Sequence, residues 1–357
     1  MAPVIPAISK AFAGVPNVEA LVPVAIAIPA LVLALTSPLA GWAADKFGRR
    51  NVLVIALAAY SVCGTAPLWL ETLGQIIASR ALLGLCEAVI MTSSTALICD
   101  YFDGKAREKW LAQQSAIASL SAIVFALTGG ALGESGWRVP FAAYGLGVLL
   151  IAPILLFITE PERAISNRAS AARINWGLYG WICLLAMLSS LLFYVVPIQI
   201  GFLLETQGVT SPNQVGLATA AGNLAVFIGA ILFRRVSHLP ATRLSAVGFA
   251  IMGVGLAIIA RVPVFAATVA GSVVHGFGWG IVLPTVLTWA MAQLHFDLRG
   301  RGTGIFMGAV FVGQFLSPLL VLAAKHFAGD LSGAILIFGG LGALTALATA
   351  LVRSDPR

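Results

Sequence analysis

Charge is what this sequence has least of. Asp, Glu, Lys and Arg supply 10% of its 357 residues, where a soluble globular chain carries about 25%. So thin a charged coat cannot cover the two or three water-soluble domains that this length would suggest. Cysteine is also scarce. Cys63, Cys86, Cys99 and Cys183 all fall inside apolar runs, which excludes a disulfide-stapled module, and their spacing fits no metal site. There is no Walker loop, no H-E-x-x-H and no G-x-S-x-G. Direct ATP drive, zinc proteolysis and serine-hydrolase chemistry therefore have no support. The glycine-rich stretches Gly276–Gly280 and Gly300–Gly304 do not follow a strand in a βαβ unit and are not read as phosphate cradles. The start, Met1-Ala2-Pro3, lacks the basic region of a secretory signal.

What the sequence has in plenty is apolar length. Hydrophobic residues make up 59% and the mean hydropathy is +0.98. A helix needs about 20 mainly apolar residues to cross a bilayer. Strands of a membrane barrel would alternate in polarity, whereas Val52–Ala59 and Ile335–Leu351 are unbroken. The pattern predicts eleven helical spans near 18–40, 51–70, 75–101, 110–133, 138–159, 176–204, 214–233, 244–262, 264–291, 304–324 and 332–352. The fold class is all-α and integral to the membrane.

The net charge of +7 could mean a nucleic-acid partner. Its distribution says otherwise. Alternate loops and the C-terminal tail collect Lys46, Arg49, Arg50, Lys105, Arg107, Lys109, Arg163, Arg168, Arg173, Arg234, Arg235, Arg243, Arg299, Arg301, Arg353 and Arg357. Those are sixteen of the 21 basic residues. The other side has only Lys10, Arg138, Arg261 and Lys325, and Arg80 lies within a span. Lys/Arg excess marks the cytoplasmic side. The expected topology is multi-pass in a plasma (inner) membrane, C-terminus cytoplasmic, with no nucleic-acid partner.

The chain also repeats weakly at an offset of 192. Gly84 maps onto Gly276, Arg107 onto Arg299, and the basic loop 41–50 onto 233–242. The polar stretch 160–175 reads as a cytoplasmic linker. That gives a bundle over 1–159 and a second over 176–357, the parallel-halves plan of many transporters, with a substrate site at mid-membrane. The first span of the second bundle would map onto positions −16 to 12. The first bundle is therefore expected to hold five complete spans plus the end of a truncated first.

The loop Gly41-Trp-Ala-Ala-Asp45-Lys-Phe-Gly48-Arg49-Arg50 resembles the G-x-L-A-D-R-x-G-R-R signature of the major facilitator superfamily, with Ala43 for the usual Leu and Lys46 for the middle Arg. Arg80-Ala-Leu-Leu-Gly84 resembles its R-x-x-q-G element, and Gly136-Trp-Arg-Val-Pro-Phe141 its G-W-R-x-x-F. Gly304–Gly308 and Gly313–Pro318 fit its eleventh helix. The resemblance implies twelve helices in two pseudo-symmetric bundles. It also implies a gating cluster in which Gly41, Asp45, Gly48, Arg49 and Arg50 latch the cytoplasmic side, with Asp100 as acid partner. Asp45 is expected at a helix N-terminus, where the macrodipole favours a carboxylate. The proton-exporter element G-x-x-x-G-P is poorly matched: Ala118–Gly130 keeps only Gly129-Gly130.

Ionisable groups within spans are functional candidates. Arg80 and Glu87 are seven residues apart and share a helix face; they could bind substrate, carry a proton, or form a static pair. His275 has a side chain suited to proton coupling, and also to a structural hydrogen bond. Asn223, Gln199, Tyr194 and Gln314 could bind substrate or bond across helices. Gly304 and Gly308 form a small-residue pair expected at a helix contact. The combined reading is a monomeric secondary transporter that moves a small-molecule substrate by alternating access, coupled to a proton or another ion. It needs no cofactor, no metal and no catalytic residue. Efflux is preferred; uptake of organic acids or sugars, or a transport-inactive remnant, are the alternatives. An intramembrane enzyme would need a polar catalytic cluster near one interface, and none is apparent.

Overall fold

The computed structural model describes residues 2–160, 176–294 and 299–352. Among them every regular element is helical. A 3-10 turn (Ala2–Val4) leads into α1 (Ile5–Ala11), and α2 (Val18–Phe47), α3 (Arg49–Thr65), α4 (Leu73–Tyr101) and α5 (Gly104–Gly133) follow. A tight 3-10 stretch (Val139–Leu150) then continues as α6 (Ile151–Phe157). The second half holds α7 (Trp176–Thr206), α8 (Pro212–Val236), α9 (Ala241–Arg261), α10 (Phe265–Ala292), α11 (Arg299–Ala328) and α12 (Leu331–Leu351). Eleven of the described helices are long and apolar enough to span a membrane, one for each predicted span. The linker assigned to 160–175 lies, apart from Glu160, outside the described residues, as do Arg353 and Arg357 of the tail.

Helix ends are set by local chemistry. Thr72 and Gln75 form a reciprocal capping box at the start of α4. Ser211 caps α8, with Pro212 in its first turn. Asp330 accepts from the Gly333 N–H at 2.7 Å to start α12. Gly48, at φ +93°, turns α2 into α3 in a conformation that side chains rarely adopt.

The end of the molecule carrying Lys46, Arg49, Arg50, Arg107, Arg234 and Arg235 is the basic end. Each half packs through glycine crossings, and the offset of 192 reappears in them. A Cβ on Gly84 of α4 would lie 2.5 Å from the Pro29 carbonyl of α2. One on Gly276 of α10 would strike the carbonyl of Gly222 of α8. The second half has the larger core, around Tyr179, Phe249, Phe306 and Phe338. A smaller cluster of Val4, Ile5, Ile8, Val22, Phe141 and Ile198 joins α1 to both halves.

The halves meet along two seams. In one, α5 packs on α8: a Cβ on Gly130 would lie 2.9 Å from the Pro212 carbonyl, and one on Gly216 2.7 Å from that of Ala126. In the other, antiparallel α2 and α11 meet from Glu19 and Lys325 to Leu33 and Phe311. Both seams run from mid-membrane to the end opposite the basic one. The pair Gly304/Gly308 corrects the expectation of a helix contact. A Cβ on either would meet nothing within 4 Å, although both share a helix face with Phe311. The α2–α11 packing seen at Leu33 and Phe311 therefore does not extend to this glycine face.

Candidate functional site

Two sites emerge, one at the basic end and one at mid-membrane. At the basic end, Asp45 falls in the last turn of α2, not at a helix N-terminus as expected. It lies one turn before Arg49, whose Nη2 is 3.2 Å away. The Arg49 guanidinium also pairs with Asp100 at the end of α4 and donates to the Ala96 carbonyl at 3.1 Å. The N-terminus of α3 is taken instead by Glu160. Its carboxylate accepts from the Arg49 N–H at 2.6 Å and the Arg50 N–H at 2.9 Å, the arrangement the helix dipole favours. Gly48 makes room for it: a Cβ there would lie 3.1 Å from the Glu160 carboxyl. Arg50 reaches the Leu155 carbonyl at 2.6 Å. Gly41 sits against α4, where an added Cβ would make an ordinary 3.6 Å contact with Thr92. The cluster thus binds α2, α3, α4 and the end of α6 into one unit within the first half.

Between the halves lies a cavity of about 270 Å³. The first half contributes Ile26, Pro29, Leu33, Arg80, Glu87 and Tyr144 to its wall; the second contributes Tyr194, Pro197, Phe311 and Gln314. Arg80 and Glu87 share this wall as their spacing predicts, yet they do different things. Arg80 is buried. Its Nη2 donates to the carbonyls of Cys63 at 2.7 Å and Gly64 at 2.9 Å, and its guanidinium lies over the rings of Phe141 and Tyr144. Pro67 explains the first acceptor: four residues after Cys63, it has no N–H to give that carbonyl. Glu87 has no hydrogen bond or ion pair within 4 Å among the described residues. It is the one carboxylate in a wall that also holds the Arg80 guanidinium, Gln314 and the phenols of Tyr144 and Tyr194.

The other intramembrane candidates lie elsewhere. His275 is buried inside the second half, its Nδ1 3.1 Å from the Met252 carbonyl, its ring parallel to Phe193. Trp279 stacks on the same Phe193 at 3.9 Å. Gln199 lines a narrow apolar crevice among Val195, Leu203 and Leu256. Asn223 bridges the halves, donating to the Ala122 carbonyl at 3.3 Å. None of the three lines the central cavity. Tyr144 escaped the sequence reading because it sits in a stretch with no polar pattern. Glu160 did because it was assigned to the linker.

A cavity between two helical bundles that repeat one another's crossings is the layout of transporters built from parallel halves. The sequence pattern of the Major Facilitator Superfamily matches residues 1–318, and the chain belongs to that family. It is 27% identical over 345 residues to the tetracycline resistance protein, class E, of Escherichia coli, covering 89% of this chain and 82% of that one. It is 36% identical over 145 residues to multidrug resistance protein 1 of Bacillus subtilis, a match covering 40% of this chain and only 37% of that relative. Among solved structures, a D-xylose–proton symporter superposes with a TM-score of 0.79 over 98% of this chain and 92% of its own, at 18% identity. A bacterial homologue of the human lysosomal transporter Spinster, inward-facing and occupied, gives 0.75 over 98% and 90%, at 15% identity. At such identities the likeness is one of fold.

Proposed function

We propose that this chain is a secondary active exporter that moves a small organic solute out of the cell in exchange for protons. The observation that carries this reading is Glu87, a carboxylate in the cavity between the halves that makes no hydrogen bond or ion pair within 4 Å among the described residues. A lone carboxyl in such a wall can hold either a proton or a cationic solute, and the two compete for one site. Competition of that kind is what exchange requires. The aromatic and aliphatic groups around it suit a hydrophobic or aromatic body, and the resistance-protein relatives point to efflux of drug-like molecules. The basic end is the cytoplasmic end by its Lys/Arg excess, so the open space against Gly304 and Gly308 makes this the inward-open state. The Asp45–Arg49–Asp100 cluster is the gate that the basic end closes against.

The test is transport into proteoliposomes under an imposed proton gradient, with tetracycline and a quinolone as probes. Glu87→Gln should abolish the dependence of flux on the gradient while leaving the protein folded. Gradient-driven flux that persists in Glu87→Gln overturns the role given to this residue. A sugar uptake reading draws on Tyr144, Tyr194 and Gln314, which could bond hydroxyls; flux of xylose and not of the drugs would favour it.

A further inference from the structure

Three polar ties join the two halves at the end opposite the basic one. Lys10 of α1 pairs with Glu205 at the end of α7. Glu19 in the first turn of α2 pairs with Lys325 at the end of α11, at 3.0 Å. Glu134, just beyond α5, accepts from the Ser211 hydroxyl and from the Asn213 N–H at 3.0 Å, and so caps α8 from the other half. We propose that these three contacts act together as a latch: they hold that end shut in the present state, break when it opens, and thereby set the balance between the two transport states. The proposal rests on the inward-open state proposed above and on the two halves rocking about the cavity to open the other end, and on neither a substrate nor a coupling ion.

The economy of charge in this chain argues for the latch. Beyond the basic end the acids outside the spans are Glu19, Glu71, Glu134, Glu205 and Asp330, and the bases are Lys10, Arg138, Arg261 and Lys325. Three of those five acids and two of those four bases are placed across the halves. Helix packing does not require this, since the glycine seams already bring the helices together. The ties are also spread over three separate junctions: α1 with α7, α2 with α11, and α5 with α8. Each half is thus gripped at several points around the rim. Exposure sets the size of the effect. The Glu19 side chain is 70% accessible and that of Lys325 41%. A pair so wet adds little to the stability of a fold, about a two- to fivefold change in an equilibrium constant. Folding hardly registers that. A balance between two states of similar free energy registers it directly, and three such ties acting together multiply.

The experiment measures distance distributions between spin labels in nanodiscs without substrate, in a background free of native cysteine. Lys105→Cys with Leu239→Cys reports the basic end, and Trp69→Cys with Val264→Cys the opposite one. Glu19→Gln should raise the fraction with a closed basic end and an open opposite end about two- to fivefold. Glu205→Gln should do the same, and the two together should give the product. Glu19→Lys combined with Lys325→Glu should restore the original fractions, which separates a lost charge pair from a damaged fold. Raising salt should mimic neutralisation in the unmodified chain and have less effect once both pairs are gone. Two populations at each end that ignore all these charges overturn the latch and leave rocking intact. A single invariant distance at both ends in every variant overturns rocking and the latch with it.

Discussion

Arg80 and Arg138 serve the same helix end at two depths. Both give their guanidinium to carbonyls that Pro67 and the end of its helix leave free: Arg80 to Cys63 and Gly64, Arg138 to Pro67 at 2.5 Å and Leu70 at 2.7 Å. Arg138 also lies against Trp137, which accounts for the Trp-Arg dipeptide in that turn. A cation at a helix C-terminus is favoured by the dipole, and in each arginine one terminal NH2 of the guanidinium serves both acceptors. Arg80→Met should therefore leave two carbonyls with no donor in an apolar setting, a loss of about 1–3 kcal/mol, seen as a lower thermal midpoint in detergent. Arg80→Lys should recover part of it. An unchanged midpoint in Arg80→Met would show that water serves those carbonyls equally well. Spacing alone made it legible that Arg80 and Glu87 share a face. It could not show that Arg80 is tied through its Nη2 while Glu87 makes no hydrogen bond, because the acceptors of Arg80 belong to a neighbouring helix.

Glu134 is one of three rim carboxylates, with Glu19 and Glu205, through which acid would act on the proposed latch. The Ser211 hydroxyl, and after it the Asn213 N–H, hold its carboxyl below the ordinary value of 4.5. The folded value is lowered, so its contribution is present above the unfolded value and is lost as pH falls through the lowered one. The α5–α8 tie should hold at pH 6 and 7 and weaken only as pH falls below the ordinary carboxylate value. With Glu19→Gln and Glu205→Gln already in place, adding Glu134→Gln should remove the remaining acid step in the spin-label distances at the rim. Their retaining it would place the titrating group elsewhere.

At the scale of helices, glycine is what lets these elements approach, and the structure separates two kinds of glycine that look alike in sequence. Gly313 of α11 faces the Met187 carbonyl of α7 so closely that an added Cβ would collide with it. Gly304 and Gly308 face open space. Gly313→Ala should therefore lower stability by about 1–3 kcal/mol, as overpacking does, with a matching fall in the yield of folded protein. Gly308→Leu should fold normally and yet abolish transport, because the face it fills must receive α2 when the basic end closes. The register supports this: Glu19 opposite Lys325 and Leu33 opposite Phe311 continue to Thr36 opposite Gly308 and Ala40 opposite Gly304. Full transport by Gly308→Leu would show that α2 and α11 never meet there. The spans themselves were legible, because twenty apolar residues announce a bilayer whatever their neighbours. Which glycines lie in a seam was not, because that depends on the conformational state as well as on the sequence.

At the scale of the molecule, sidedness is the assumption on which direction rests. By the Lys/Arg bias the α8–α9 loop is expected in the cytoplasm and the α9–α10 loop outside. Leu239 and Val264 are exposed positions in those two loops, at 38% and 52%. In a cysteine-free background, a membrane-impermeant maleimide should label Leu239→Cys in inside-out vesicles and Val264→Cys in intact cells. The reverse pattern would invert the topology. It would turn the open space against Gly304 and Gly308 outward and make the same cavity, with Glu87 in it, a site loaded from outside. The cavity chemistry would stand, but export would give way to uptake. Two exposed loop positions thus decide between the two readings more directly than any residue in the cavity, because the cavity lies between the halves in either topology and only the rims differ in charge.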